Sequence, residues 1–223
     1  KYSIKMILEI ACNNIQSVIH AVEGGADRIE LFSNIQEGGV TPSLGTMRMS
    51  RVFEVPVYGM IRPRGGNFVY SEAELDQMKS DIENIKQLGV NGFVFGILNE
   101  DNTINIDQNK TLVAEAYPYP CTFHRAFDAV SNFEQALEAV ISSGFSTILT
   151  SGTFPNVMEG KEVLKKLVFQ AKNRIEIMPG GGLRSTNISE LNQIVGANWY
   201  HSSAITDGSE IANPNEIIQL KEK

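Results

Sequence analysis

The sequence has few cysteines, no excess of basic residues and no long apolar run. Its two cysteines, Cys12 and Cys121, are too few for a disulfide framework or a four-thiolate zinc site, so we expect a reducing environment. Acidic residues outnumber basic ones by 26 to 19, a net charge of −7, which argues against nucleic acid or an anionic membrane as partner. No apolar run approaches the roughly 18 residues that span a bilayer, and we find no basic-then-apolar leader. We therefore expect a cytoplasmic protein.

The sequence does contain a repeated alternation of short β-rich runs and longer amphipathic runs. The predicted strands are Lys5–Ala11, Asp27–Phe32, Val55–Ile61, Gly92–Gly96, Cys121–Arg125, Ser146–Thr150, Arg174–Met178 and Ala197–His201. The predicted helices are Ile15–Glu23, Leu44–Phe53, Glu72–Gln87, Gln108–Ala116, Phe133–Ser142, Val157–Lys172, Asn187–Val195 and Asn215–Lys221. Strict alternation predicts a parallel sheet. Eight such units in 223 residues predict an α/β fold, a single-domain (β/α)8 TIM barrel over residues 1–223. The alternative is an open doubly wound sheet, which usually has fewer strands.

The segments that follow the predicted strands are longer than those that precede them, and they carry the unusual residues. These segments are Ser33–Ser43, Arg62–Ser71, Ile97–Asp107, Ala126–Asn132 and Pro179–Thr186. The carboxyl ends of the strands in a parallel barrel gather at one face, where barrel enzymes hold their active sites. We therefore expect the functional residues at strand ends and in these loops.

Charged side chains interrupt the apolar pattern of the first two predicted strands. In the second, Ile29 and Leu31 share one face, so Arg28 and Glu30 share the other. Because the apolar face must pack on helices, Arg28 and Glu30 are predicted to point into the barrel. Glu9 lies among apolar residues of the first strand, where a carboxylate needs a partner, and Arg28 is the natural one.

Two further charged or titratable residues lie at strand ends. Arg62 follows the third predicted strand, and His124 lies near the end of the fifth. Glu9, Glu30, Arg62 and His124 form the candidate catalytic set, with the carboxyl groups and the imidazole as acid–base candidates and Arg62 as an anion clamp. The other interpretation is an ion-pair network that fixes strand register without chemistry. The desolvation cost of buried ion pairs makes us favour the functional interpretation.

A glycine-rich loop follows the seventh predicted strand. Backbone N–H groups at Gly180, Gly181 and Gly182 can approach a ligand closely and form an anion-binding nest. Phosphate sites in barrels commonly use the loops after strands seven and eight, and His201 and Ser202 end the eighth strand here. These five residues are the predicted anion site. The alternative is a tight turn that only needs positive φ angles.

A metal site has little support from spacing, because no HExxH, CxxC or paired-histidine pattern is present. Copper(I) prefers soft donors such as thiolates. Cys12 follows the first strand and is expected near the barrel mouth, whereas Cys121 begins the fifth strand and is expected near the opposite face. We therefore treat Cys12 as the metal candidate. As a nucleophile near His124 or His201 it has less support than as an inert thiol.

Several strings together resemble the CutC family. They are Gly25-Ala26-Asp27-Arg28-Ile29-Glu30-Leu31, Glu37-Gly38-Gly39-Val40-Thr41-Pro42-Ser43, Met60-Ile61-Arg62-Pro63-Arg64-Gly65-Gly66, Thr122-Phe123-His124-Arg125-Ala126-Phe127-Asp128, Leu149-Thr150-Ser151-Gly152 and Met178-Pro179-Gly180-Gly181-Gly182. The resemblance runs from about Ile7 to Ser203 and implies a cytoplasmic barrel named for copper homeostasis, with a homodimer as a further expectation. Members often carry cysteine where this chain has Phe32, and some where it has Ser202, so a copper(I) site carries over only as Cys12.

Three functions follow from these observations. The chain is a copper-handling protein that binds copper(I) through Cys12, a barrel enzyme that acts on a small phosphorylated or carboxylated metabolite, or a barrel without chemistry. The family resemblance favours the first, and the number of polar residues predicted at the mouth favours the second.

Overall fold

Eight parallel strands alternate with eight helices in the computed structural model, which describes residues 6–223. The strands are β1 (Ile7–Cys12), β2 (Arg28–Leu31), β3 (Val57–Met60), β4 (Gly92–Phe95), β5 (Cys121–Phe123), β6 (Thr147–Thr150), β7 (Glu176–Pro179) and β8 (Trp199–Ser202). The helices are α1 (Ile15–Glu23), α2 (Leu44–Ser50), α3 (Glu72–Lys86), α4 (Ile106–Ala116), α5 (Phe133–Ser142), α6 (Lys161–Ala171), α7 (Ile188–Val195) and α8 (Pro214–Lys221). Short 3₁₀ turns cover Ile35–Glu37 and Arg125–Ala129. This confirms the predicted TIM barrel.

The strands form one sheet in the order β7-β6-β5-β4-β3-β2-β1-β8. Between β7 and β8 the described residues form a single parallel bridge, which joins Gly180 to His201 and nearly closes the barrel. β1 pairs with both β8 and β2, so Glu9 has His201 as its register partner on one side and Arg28 on the other. This strand order brings together three residues that are far apart in the sequence.

Alternate residues of each strand face two different environments, as the period of two requires. Leu8, Ile10, Ile29 and Leu31 are fully buried in the large core between the sheet and the helices. A smaller cluster lies inside the barrel and consists of Ala11, Phe32, Tyr58, Met60 and Val94. The predicted inward orientation of Arg28 and Glu30 is confirmed, because Arg28 pairs with Glu9 and Glu30 lines a cavity within the barrel.

Most helices begin at a side chain that accepts a hydrogen bond from a free backbone N–H of the first turn, which stabilises the helix start. The capping residues are Asn14, Ser43, Ser71, Asn105, Asn132 and Asn213. Within residues 6–223, none of the helices has the length and apolar character that a membrane crossing requires.

Some element boundaries differ from the prediction. The predicted fifth strand ends early, because the His124 side chain caps the following 3₁₀ turn by accepting from the Ala126 N–H. The predicted sixth helix begins later, at Lys161, after Gly160, where a Cβ atom would lie 1.8 Å from the Ser151 carbonyl oxygen. The second helix ends at Ser50 rather than Phe53. Lys5, the start of the predicted first strand, lies outside the described residues.

Candidate functional site

A cavity of about 280 Å³ opens at the carboxyl ends of the strands, where the sequence predicted the site. Its polar lining consists of Glu30, His124, Arg125, His201, Ser202 and Ser203. Phe32, Met60 and Phe68 form part of its apolar wall, and Gly181 and Gly182 lie at its rim. The cavity therefore combines a few polar groups with apolar walls, as small-molecule sites do.

A chain of carboxyl and imidazole groups runs from the barrel interior to the cavity. His201 Nδ1 lies 2.7 Å from Glu9 Oε1, and His201 Nε2 lies 3.8 Å from Glu30 Oε2. All three residues are buried. Glu30 Oε1 has no hydrogen-bond partner within residues 6–223. Of the three, Glu30 and His201 line the cavity, while Glu9 lies behind them and positions the imidazole.

Burial and the charges of their neighbours shift the pKa values of Glu30 and His201. Burial raises the pKa of Glu30 to about 7, with Glu9 adding to the rise and His201 opposing it. Burial lowers the pKa of His201, but the carboxylates of Glu30 and Glu9 outweigh it and the net shift is upward. The Glu30 carboxyl group can therefore accept and release a proton near neutral pH, as a general acid–base group must.

Glu9 is held by a buried ion pair with Arg28. Arg28 Nε lies 2.5 Å from Glu9 Oε2, and the guanidinium lies between the rings of Tyr58 and Trp199, at 4.0 and 4.2 Å from their centroids. Burial would raise the pKa of Glu9, but Arg28 and His201 together bring it below its usual value. Glu9 therefore stays ionised, and the predicted pairing of Arg28 with Glu9 is confirmed.

His124 lies one residue beyond β5 and is 4% exposed. Its Nδ1 accepts from the backbone N–H of Ala126 at 3.3 Å, and its ring lies 4.9 Å from that of Phe68. Burial, with a contribution from the Arg62 charge, lowers the pKa of His124 to about 3, so the ring is neutral. Because Nδ1 accepts, the proton is on Nε2, and this atom has no hydrogen-bond partner among the described residues.

Arg62 is buried, but it does not line the cavity. Its Nη1 donates to the carbonyl oxygens of Glu37 and Gly39, each at 2.7 Å, and its Nη2 donates to that of Gly66 at 2.9 Å. Arg62 thus ties together the loops after β2 and β3. Both terminal nitrogens of the guanidinium are therefore occupied, and the buried Arg62 Nε has no hydrogen-bond partner in the described part of the chain.

The glycine loop is shaped for close approach of a ligand. Gly181 and Gly182 have φ angles of +110° and +73°, and their N–H groups have no hydrogen-bond partner among residues 6–223. Gly180 contributes differently, since its N–H donates to the Thr150 carbonyl oxygen. The Ser202 hydroxyl donates to the Leu183 carbonyl oxygen at 2.8 Å. The free N–H groups of the predicted anion site are therefore those of Gly181 and Gly182.

Arg125 lies directly over this loop. Its Nε donates to Asp128 at 2.7 Å and its Nη2 to Ser151 at 2.9 Å, which fix the guanidinium and leave Nη1 without a partner in the described residues. A Cβ atom on Gly181 would lie 3.1 Å from Nη1. Arg125 was not among the site residues predicted from the sequence. Its position next to His124, at the carboxyl end of a strand, was the signal that could have identified it.

Cys12 does not lie in the cavity lining. It is the last residue of β1 rather than a loop residue, and it is fully buried in the outer core with Leu8 and Ile10. Its Sγ donates to the Ile10 carbonyl oxygen at 3.7 Å. Burial, with Glu30 and Glu9, raises its pKa well above the usual value. No group of three or more His, Cys, Asp or Glu side chains within residues 6–223 is arranged to hold a metal ion.

Comparisons with known proteins identify close relatives. The sequence profile of the CutC family matches residues 6–206. A copper homeostasis protein cutC homolog of Homo sapiens is 44% identical over 199 residues, 89% of this chain and 73% of that protein. A CutC family protein of Vibrio parahaemolyticus is 46% identical over 202 residues, 89% of this chain and 82% of that protein.

Solved structures share the same architecture. The crystal structure of a CutC protein from Streptococcus agalactiae matches with a TM-score of 0.85 and 33% identity, covering 90% of this chain and 100% of that one. Phosphoribosylanthranilate isomerase from Thermotoga maritima matches with a TM-score of 0.63 and 17% identity, covering 96% of each chain. At that identity the second match shows the barrel fold alone.

Proposed function

This chain belongs to the CutC family, and we propose that it performs general acid–base catalysis on a small anionic metabolite at the mouth of its barrel. The observation that carries this proposal is the buried Glu30 carboxyl group. One of its oxygens has no partner in the described residues, and the other lies 3.8 Å from His201 Nε2. A carboxyl group whose pKa lies near 7 is matched to proton transfer at neutral pH.

The rim of the cavity supports an anionic substrate. Gly181 and Gly182, whose N–H groups are free in the described residues, line the cavity together with Arg125. The free Nη1 of Arg125 would lie 3.1 Å from a Cβ atom on Gly181. Backbone nests and arginine together are suited to phosphate or carboxylate. A cavity of about 280 Å³ lies just below the usual range for ligand sites, about 300–1,000 Å³, which favours a small metabolite.

An ion-pair network without chemistry explains Arg28 and Glu9 but not the cavity lining. A network that only fixes strand register would consist of side chains that pair with each other, as Arg28 and Glu9 do. Glu30 Oε1 and His124 Nε2 are buried without a partner in the part of the chain that the structure describes. Each such atom costs about 1–3 kcal/mol unless something satisfies it. A ligand in the cavity would satisfy both.

The test is turnover in a panel of phosphorylated and carboxylated metabolites, followed by NMR, together with thermal shift to detect binding. We expect at least one compound to be bound and converted. Glu30→Gln should keep its binding but lose about 100-fold or more of its turnover, because general acid–base catalysis contributes about 10²–10⁴-fold. Glu138→Gln, which alters an exposed carboxyl group on α5, is the matched control and should behave as wild type. Undiminished turnover by Glu30→Gln, or a panel without binding, contradicts the proposal.

The names of the relatives favour copper(I) as a second candidate ligand. The described residues fit it poorly, since Cys12 is a lone buried thiol whose pKa is raised, whereas the thiolate is the metal-binding form. We therefore expect weak copper(I) binding, held mainly by Cys12. A competition titration against a copper(I) chelator should show this binding reduced by Cys12→Ser and unaffected by Cys121→Ser. Tight stoichiometric binding that survives Cys12→Ser would show that another set of donors holds the ion.

A further inference from the structure

We propose that the reaction at this site removes a proton from the carbon next to a carbonyl group of a small, negatively charged carbonyl compound. The inference rests on the acid–base function proposed above and names its substrate class. It follows from two residues that line the same cavity, Glu30 and His124. Each carries a buried polar atom without a partner within residues 6–223: the acceptor Glu30 Oε1 and the donor His124 Nε2.

His124 supplies the donor for the carbonyl oxygen. Its Nδ1 is occupied by the Ala126 N–H, so the neutral ring carries its proton on Nε2. A buried donor without a partner is costly, and a carbonyl oxygen is an acceptor that removes this cost. The same hydrogen bond strengthens as negative charge develops on the oxygen, and the apolar wall of Phe32, Met60 and Phe68 keeps the local dielectric low.

Glu30 supplies the base. The C–H bond next to the carbonyl breaks, and its proton goes to the Glu30 carboxylate. The electron pair of that bond forms a C=C bond, and the carbonyl π pair moves to the oxygen, which becomes an enolate held by the His124 Nε2–H. Return of the proton to the same carbon completes an exchange. Where that carbon carries a hydroxyl group, the hydroxyl proton passes to the enolate oxygen, the O–H electron pair forms the new C=O bond, and return of the abstracted proton to the former carbonyl carbon completes an isomerisation. Atoms and electrons balance without a co-reactant.

The lining favours this chemistry over glycoside hydrolysis. Hydrolysis of a glycosidic bond needs two carboxyl groups that flank it, whereas Glu30 is the one carboxyl group among the described residues that line the cavity. The anion site formed by Gly181, Gly182 and Arg125 would hold the charged end of the substrate and thereby place its carbonyl group between Glu30 and His124.

The first experiment measures recognition of the enolate charge by isothermal titration. The carboxylate of 2-phosphoglycolate imitates the enolate, while glycerol 3-phosphate carries the same phosphate without it. Wild type should bind 2-phosphoglycolate at least about tenfold more tightly. His124→Ala should lose this preference but keep its affinity for inorganic phosphate, and His124→Gln, which retains an N–H donor, should keep part of the preference. His20→Ala, which removes the partly buried imidazole of α1, is the matched control.

The second experiment measures deuterium incorporation next to the carbonyl of dihydroxyacetone phosphate in D₂O. Wild type should exchange above the buffer rate, and both Glu30→Gln and His124→Ala should reduce this rate about 100-fold or more. Equal affinities for the two phosphates, or wild-type exchange at the buffer rate, overturn the inference. If another compound is then converted in a Glu30-dependent way, the acid–base function stands and only the substrate class fails. If no anion binds at all, both fail.

Discussion

Replacement of Arg28 by methionine tests whether the buried ion pair holds the site in place. Arg28 is 4% exposed, contacts Glu9 at 2.5 Å and lies between two aromatic rings. Methionine retains much of the apolar volume between the rings but leaves the Glu9 carboxylate without its strongest counter-charge. Removing one partner of a buried ion pair costs about 3–5 kcal/mol. For a chain of this size each kcal/mol lowers the melting temperature by about 2–4 °C, so we expect a loss of about 6–20 °C.

The pH dependence identifies the cause of that loss. In the wild type the net shift of the Glu9 pKa is downward, because Arg28 and His201 outweigh the effect of burial. A lowered pKa contributes stability above the usual glutamate pKa, and this is lost as the pH falls through the folded-state value. Arg28→Met removes this contribution, so its penalty should be largest near neutral pH. The penalty should shrink in acid, where Glu9 becomes protonated.

Two further variants complete the test by differential scanning calorimetry. Arg174→Met breaks the exposed pair with Glu138 and should leave the melting temperature almost unchanged, because exposed ion pairs contribute little. The double variant Glu9→Gln with Arg28→Met should regain much of the loss, since no unpaired charge remains. An Arg28→Met melting temperature equal to that of wild type would refute the argument that Arg28 compensates a buried charge.

Three other predictions concern the anion site, the base and the thiols. Gly181→Val should abolish stabilisation by inorganic phosphate, which is about 2.7 kcal/mol at 100 times the dissociation constant, because its side chain would meet Arg125; thermal shift measures this. The pKa of Glu30 is raised from 4.5 to about 7, so the folded state holds that proton more tightly. Its contribution is full below 4.5 and is lost as the pH rises through about 7, and urea denaturation should show wild type losing stability over this window relative to Glu30→Gln. Cys12 and Cys121, both buried with raised pKa values, should react with Ellman's reagent only when the protein unfolds.

Each of these predictions has a control or an opposing result. Gly89→Val also places a side chain at a positive φ but meets no atom within 4 Å, so it should cause backbone strain without loss of phosphate stabilisation. A phosphate shift that survives Gly181→Val would remove the anion site from that loop. Parallel pH profiles for wild type and Glu30→Gln would show that Glu30 titrates normally. Rapid labelling of the native protein would show that a thiol is accessible.

Local patterns in the sequence were sufficient to predict the barrel and the inward orientation of its charged residues. Alternation of β-rich and amphipathic runs predicts βα units, since each element must bury its apolar face. Period-two alternation also placed Arg28 and Glu30 inside the barrel. The same parity assigns Cys12 to the face of Leu8 and Ile10, because Glu9 between them faces inward. Cys12 was expected near the mouth because of its position along the strand. The parity of the strand, which directs its side chain towards the helices, was not taken into account.

The tertiary structure alone decided which of the candidate residues face the cavity and which groups remain free. Arg62 was expected to hold an anion, but its hydrogen bonds to Glu37 and Gly39 depend on how a loop 23–25 residues away folds back. The position of Arg125 over Gly181 likewise depends on two loops from different strands. His201 reaches both Glu9 and Glu30 because β8 pairs with β1 and β1 with β2. Side-chain periodicity is a local property, so the sequence determined the faces of the strands. Hydrogen-bond partners and charge environments arise from long-range packing, which local periodicity does not encode.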